Sequence, residues 1–181
     1  MKPKVIEISS VPCGGKTTLM DALHKKYPRS AILCFDDYKF IGVPDNFRYI
    51  PVLDCRNWDM APLINDICYL LDNNRAKFDF IFFDYPLAPL NMQIKPFVDY
   101  NVFIDVPLDI ALVRRINKEC EKTEVLNIID FRDSFLKFKR DEYINLTDEK
   151  RASANLVIDG RIPVNQLVNT VLTEMDRFFK A

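Results

Sequence analysis

Glycine is scarce in this chain, with four residues in 181, and histidine scarcer still, with His24 alone. A Ser-His-Asp relay or a multi-histidine metal site would have to be assembled around His24, and nothing near it in sequence supports either. The five cysteines, Cys13, Cys34, Cys55, Cys68 and Cys120, are odd in number, widely spaced and without a C-x-x-C pair. That pattern argues against a disulfide framework or a zinc site and fits reduced thiols that mostly pack. No stretch approaches the ~18 consecutive apolar residues of a membrane span. Residues 1–10 lack the basic-then-apolar order of a secretory signal, so a cytoplasmic chain without membrane contact is expected. Neither sign of charge dominates: 25 Lys and Arg stand against 26 Asp and Glu, a formal net charge of -1. A nucleic-acid binder would show a basic excess, so nucleic acid is not an expected partner. Repeats, low-complexity tracts and Gly/Ser linkers are absent too.

What remains is enough for one sizeable core. Apolar residues make up 49% of the chain, and 181 residues fit a single domain, 1–181. Short β-branched or aromatic runs occur at 5–8, 31–35, 78–83, 101–106 and 155–158. They are nearly continuous in apolar residues rather than alternating, as strands covered on both faces are. Helical patterns lie between them at 17–27, 62–72, 107–118, 127–144 and 163–179. Pro28 follows the first, Pro107 opens the third, and Leu167, Val171, Met175 and Phe178 line the last. Alternating strand and helix predicts an α/β fold of three layers, α/β/α, on a five-stranded parallel sheet with right-handed crossovers. Ligands in such sheets bind beyond the carboxyl ends of the strands, which directs attention to the residues after each run.

After the first run comes Ser10-Val11-Pro12-Cys13-Gly14-Gly15-Lys16-Thr17-Thr18, close to G-x-x-x-x-G-K-[ST] with serine at the first glycine. Two of the four glycines sit here, where backbone N–H groups must wrap a phosphate at the positive end of a helix. The loop Val11, Pro12, Cys13, Gly14, Gly15, Lys16, Thr17 and Thr18 is the expected nucleotide site. Lys16 would lie on the β- and γ-phosphates and the Thr17 hydroxyl on Mg²⁺, with ATP the default nucleotide because no guanine motif is seen. The alternative is an ordinary strand–turn–helix with a chance Gly-Lys-Thr. Cys13 lies beside a helix N-terminus and Lys16, features that favour thiolate; the plainer reading makes it a spacer.

Acids follow the next two runs: Asp36 and Asp37, then Asp84. Asp84 is placed to support Mg²⁺, directly or through water; its alternative is capping the next turn. Asp36 is the candidate to orient an attacking hydroxyl, accept its proton and add to the metal shell. An aspartate is a weak base, but in a loose phosphoryl-transfer transition state the proton can leave late. One of Asp36 and Asp37 would serve as a simple turn residue.

With these residues placed, the chain resembles the P-loop nucleoside kinases, the group that contains uridine kinase and nicotinamide riboside kinase. The resemblance rests on Val11-Pro12-Cys13-Gly14-Gly15-Lys16-Thr17-Thr18-Leu19, Asp36-Asp37-Tyr38-Lys39, Arg114-Arg115, Phe135-Leu136-Lys137-Phe138-Lys139-Arg140 and Val157-Ile158-Asp159-Gly160. It implies a kinase using Mg-ATP on a small hydroxyl-bearing acceptor. Asp36 becomes the catalytic carboxylate and Asp84 the metal acid. Arg115 joins Lys16 in catalysis and Arg114 meets the triphosphate, the two opening a short lid at about 114–126. The alternative for these arginines is a solvated helix end. The segment at about 38–62 is the implied acceptor side, with Asp37, Tyr38, Arg56, Trp58 and Asp59 as candidate contacts. Asp59 is the nearest match for a ribose-binding acid, with Asp54 its rival, and Trp58 is alternatively a packing residue. A nucleoside monophosphate kinase, with Arg48 and Arg56 on the acceptor phosphate, is the first competing reading; a nucleotide-binding module without turnover is the second. A GTPase is disfavoured, since Asp84-Tyr85-Pro86-Leu87 and Asn117-Lys118-Glu119-Cys120 depart from D-x-x-G and N-K-x-D.

Overall fold

The apolar runs are the staves of one sheet. The computed structural model describes residues 2–41, 58–72, 78–86, 91–120, 129, 132–133 and 135–180. Along the chain these form β1 (Lys4–Ser10), α1 (Lys16–Lys26), β2 (Ser30–Leu33), a 3-10 turn (Phe35–Asp37), α2 (Ala61–Leu71), β3 (Phe80–Tyr85), a second 3-10 turn (Lys95–Phe97), β4 (Tyr100–Asp105) and α3 (Leu108–Cys120). A π-helical turn (Phe135–Lys139) then leads into α4 (Arg140–Ser153), followed by β5 (Leu156–Asp159) and α5 (Val164–Lys180). The sheet is parallel throughout, in the order β2-β3-β1-β4-β5. It is the expected five-stranded sheet with helices on both faces.

β1 runs down the middle, with Ile8 level with Asp84 in β3 and Val102 in β4. Successive side chains of a strand point to opposite faces. Ile6, Ile8, Phe82, Val102 and Ile104 pack with Leu19, Met20 and Leu23 of α1 and Leu167, Val171 and Met175 of α5. Val5, Ile81, Phe83 and Tyr85 pack with Leu63 and Ile67 of α2, together with Phe35 and Trp58. Each large apolar side chain so buried stabilises the fold by about 1.5–3 kcal/mol. The carboxyl ends of β1, β3 and β4 thus open on one edge, between two independently filled faces.

Several boundaries shift, most by a residue or two, and at three elements the shift has a local reason. The second strand stops at Leu33, because Phe35 begins the 3-10 turn and donates its N–H to the Asp84 carboxylate at 2.5 Å. The third begins at Phe80 and runs through Asp84 to Tyr85, so Asp84 lies within a strand rather than after it. The helix expected over 127–144 enters through the π turn and continues to Ser153. Its last turns are polar in sequence, but Lys150 is buried there on a partner in β1.

Candidate active site

The turn between β1 and α1 is shaped by its two glycines and by Ser10. Gly14 N–H donates to the Val11 carbonyl at 2.9 Å, closing the turn. A Cβ on Gly14 would run into Ser10 Oγ and stand 2.8 Å from the Val11 carbonyl oxygen, so no larger residue fits. Gly15 has φ 97, the left-handed conformation glycine tolerates. Cys13 is left-handed as well, at φ 60, which for a residue with a Cβ costs about 1–2 kcal/mol. Ser10, standing where the motif has glycine, is buried and donates its hydroxyl to the Ile104 carbonyl at 2.7 Å. The extra side chain is therefore held between β4 and Gly14, where the glycine leaves room for it.

α1 starts directly after Gly15, with no side-chain cap and no acid in its first turn. Its leading N–H groups and positive end face the loop, the arrangement that receives phosphate. Thr17 and Thr18 are exposed there, and Lys16 is half-buried.

Asp84 meets this loop from β3. The Phe35 N–H, which would otherwise be an orphan at the start of a short helix, is satisfied by Asp84 Oδ1. Burial raises the Asp84 pKa; the Phe35 bond and the Lys16 charge pull it down in part, and Asp36 and Asp37 push it up again. Lys16, Asp84 and the Asp36–Asp37 pair thus share one electrostatic environment, and the two acids of the 3-10 turn are exposed beside it. Among the described residues no cluster of three or more His, Cys, Asp or Glu forms a metal cage. The donors present are hard oxygens, a threonine hydroxyl and a carboxylate that desolvation leaves short of positive charge. They fit Mg²⁺ that arrives with phosphate and keeps most of its water.

Because ionised Asp84 is disfavoured in the fold, Asp84→Asn is expected to raise the melting temperature of the nucleotide-free protein at pH 7 while lowering Mg²⁺-dependent turnover. The amide oxygen can keep the Phe35 bond. A carboxyl with a raised folded pKa loses stability as pH climbs from the ordinary 3.8 through the raised value. The gap between variant and wild type should therefore be absent at acid pH and widen as the pH rises. Scanning fluorimetry across pH measures it, and a lower melting temperature for the variant at pH 7 would refute the assignment.

On the other flank, α3 delivers two arginines in different directions. Arg115 lines a small cavity with Val11 and Pro12 of the loop, Leu108, Leu112, Phe135 and Tyr143. It is half-buried against the loop it was expected to serve. Arg114 is exposed and its Nη2 reaches the Gly160 carbonyl at 3.5 Å, tying α3 to the turn after β5. Gly160 is held tightly, since a Cβ there would strike Val106 and Ile104 side chains. Burial holds the Tyr143 hydroxyl well above its usual range, so it stays a neutral donor. The remainder of the expected lid, 121–126, lies outside the described residues.

The acceptor-side candidates separate. Arg56 and its neighbours Arg48 and Asp54 lie outside the described residues. Tyr38 donates its hydroxyl to Asp66 Oδ2 of α2 at 2.8 Å. Trp58 is 6% exposed, and its ring packs against the neighbouring pair Phe35 and Phe40 at centroid distances of 6.1 and 6.3 Å. It is part of the second core, and its burial there leaves little of the ring open to a ligand. Asp59 accepts the Ala61 N–H at 2.9 Å, starting α2, and its own N–H donates to the Ile41 carbonyl at 3.2 Å. Ile41 and Asp59 are thereby held side by side.

Sequence reasoning passed over Glu7 and Asn91. Glu7 carried a signal, a lone acid inside an apolar run, which demands a buried partner. Asn91 carried none.

No family model matches the chain, and no curated protein does. Solved structures do match over almost the whole length. A sugar kinase from Janibacter sp. HTCC2649 covers 96% of this chain and 95% of its own at 17% identity and a TM-score of 0.58. A putative fructose transport system kinase from Silicibacter sp. TM1040 covers 86% and 89% at 14% identity and a TM-score of 0.57. A gluconokinase from Sinorhizobium meliloti 1021 covers 97% and 93% at 15% identity and a TM-score of 0.55. At such identities the likeness is one of fold, and with the strand order and the loop after β1 it shows that this chain has the P-loop NTPase fold in the form these kinases share.

Proposed function

We propose that the chain is a small-molecule kinase that moves the γ-phosphoryl group of Mg-ATP onto a hydroxyl of a nucleoside or nucleoside-like metabolite. The observation that carries this reading is the meeting of Lys16, Asp84 and the Asp36 turn at the mouth of the loop, held by the Phe35–Asp84 hydrogen bond. A nucleotide-binding module needs the loop; it does not need an exposed carboxylate turn fastened to the metal-side acid. Bound Mg-ATP supplies the transferable phosphoryl group and a cation that offsets its charge.

In this reading the loop 11–18 and the N-terminus of α1 bind the phosphates. Lys16 neutralises charge on the group in transfer, and Arg115 adds to it from across Pro12. Thr17 and Asp84 hold the metal shell. Asp36 aligns the acceptor hydroxyl for in-line attack and takes its proton as the O–P bond forms. The acceptor enters from the 38–62 side, where Asp37, Tyr38 and Asp59 are the contacts proposed.

The test is an ADP-release assay with Mg-ATP over uridine, cytidine, adenosine, nicotinamide riboside, pantothenate, nucleoside monophosphates and the sugar acids and sugars for which the neighbouring folds are named. Transfer to a nucleoside is expected, with Asp36→Ala lowering kcat at least 100-fold while nucleotide affinity stays within about threefold. Transfer to a monophosphate or a sugar alone would move the acceptor class. Tight ATP binding with no transfer to any acceptor would replace the kinase reading with a binding module.

A further inference from the structure

Asn91 lies in the connection between β3 and β4 and is 0% exposed. Its backbone carbonyl accepts the Ile94 and Lys95 N–H groups in a local turn, and its remaining polar groups tie that turn to two other parts of the fold. Its backbone N–H donates to Tyr85 Oη at 3.2 Å, at the end of the strand that holds Asp84. Its side-chain Nδ2 donates to the Trp58 carbonyl at 3.2 Å. Its Oδ1 accepts the Gln93 N–H at 2.8 Å, and Gln93 Oε1 in turn accepts the Met60 N–H at 3.0 Å. A buried amide with this much satisfied polarity fixes geometry, since each broken bond would leave an unpaired group inside.

The clamp reaches the chemistry in two short steps. Trp58, gripped at its carbonyl, stacks on Phe35. Phe35 also meets Tyr85 edge-on at 5.4 Å, so the Asn91-bound tyrosine and the Asn91-bound tryptophan hold the same ring. Phe35 donates its N–H to Asp84 and immediately precedes Asp36. From these contacts we propose that Asn91 is a positioning residue: by clamping Trp58 and Tyr85 around Phe35, it sets where Asp36 and Asp84 stand. It touches neither nucleotide nor acceptor. The activity part of its test rests on the kinase reading; the fluorescence part does not.

Trp58 is the only tryptophan in the chain, so its emission reports the clamp directly. Asn91→Ala removes the side-chain bonds to Trp58 and Gln93, Asn91→Asp removes the donor to Trp58 while keeping shape, and Gln93→Ala, at an exposed position, loosens the Met60 branch. For Asn91→Ala and Asn91→Asp, the acrylamide quenching constant of Trp58 is expected to rise at least threefold. The acceptor KM should rise about tenfold, with the ATP KM within twofold of wild type. Gln93→Ala should show the same pattern, reduced, and keeps the idea testable if the Asn91 variants fail to fold. Unchanged quenching in the folded variants would overturn the proposal. So would ATP and acceptor KM rising together, the mark of general loosening. Should the wild type transfer phosphate to nothing, the kinase reading fails on its own, and the quenching comparison still decides whether Asn91 holds this cluster.

Discussion

Replacing Lys16 by alanine is expected to lower Mg-ATP turnover by about 10²–10³, with most of the loss in kcat. That is the loss seen when one preorganised donor to transition-state charge is removed. The loop backbone should survive, because its shape is fixed by the Gly14–Val11 bond and the Ser10–Ile104 bond, and neither involves the lysine side chain. Nucleotide affinity should therefore fall much less than kcat. Lys16→Arg should not rescue, since a planar fork presents its charge differently from a compact ammonium. A second consequence follows from the neighbourhood. Lys16 helps hold the Asp84 pKa down against burial and the nearby acids. Without it Asp84 binds a proton more readily, so the residual activity should demand more Mg²⁺ as the pH is lowered. Combined with Asp84→Asn, the two losses should overlap rather than multiply, as for groups that act as one unit. Steady-state kinetics at several pH values, with nucleotide binding followed in parallel, measure all of this. Turnover within a few fold of wild type for Lys16→Ala would dismiss the phosphate role of the loop.

Most of what positions this site was legible in the sequence, and the reason is the physics of parallel sheets. Strands covered on both faces must be apolar along their length, so runs such as Phe80-Ile81-Phe82-Phe83 announce themselves, and the first polar residue after each marks the ligand edge. The loop was legible because the residue types that a phosphate would require fall within nine consecutive positions. The strand ends were less so. Asp84 terminates an apolar run in sequence, yet its carboxylate stays in the sheet because it satisfies the Phe35 N–H, a contact across 49 positions that no local pattern encodes. Trp58 was undecided in sequence: an indole in a polar, proline-rich segment reads equally as a ligand-facing ring or a packing residue. Its burial depends on Phe35, Phe40 and the Asn91 clamp arriving from elsewhere in the chain. The continuation of α4 to Ser153 was hidden in the same way, since its inward lysine looks like surface until its partner is known.

That partner is Glu7, and breaking the pair is expected to be the most destabilising change outside the apolar core. Glu7 is 0% and Lys150 5% exposed, with Lys150 Nζ donating to Glu7 Oε1 at 2.7 Å. Lys150 Nζ also lies 5.3 Å from the centre of the Tyr85 ring, whose face attracts a cation. Removing either member strands a buried charge, so Lys150→Met or Glu7→Leu alone is expected to cost about 3–5 kcal/mol. In a domain whose total stability is of order 5–15 kcal/mol, that is a large fraction, and a fall in melting temperature of roughly 10 °C should accompany it. The pair itself need not be net stabilising. Glu7 Oε2 has no hydrogen-bond partner among the described residues, so its desolvation is only partly offset. The double variant Glu7→Leu/Lys150→Met is therefore expected to return to within about 1 kcal/mol of wild type or above it. The pair fastens α4 to the strand that feeds the phosphate loop, and α4 carries Tyr143 against Val11 and Pro12. Since neither charge touches the loop, the double variant should keep its ATP KM within a few fold. Urea unfolding of the four proteins gives the coupling energy directly. Single variants within ~1 kcal/mol of wild type would mean that water reaches the pair, and a double variant as unstable as the singles would mean that the ionic contact, not the packing beneath it, holds α4 in place.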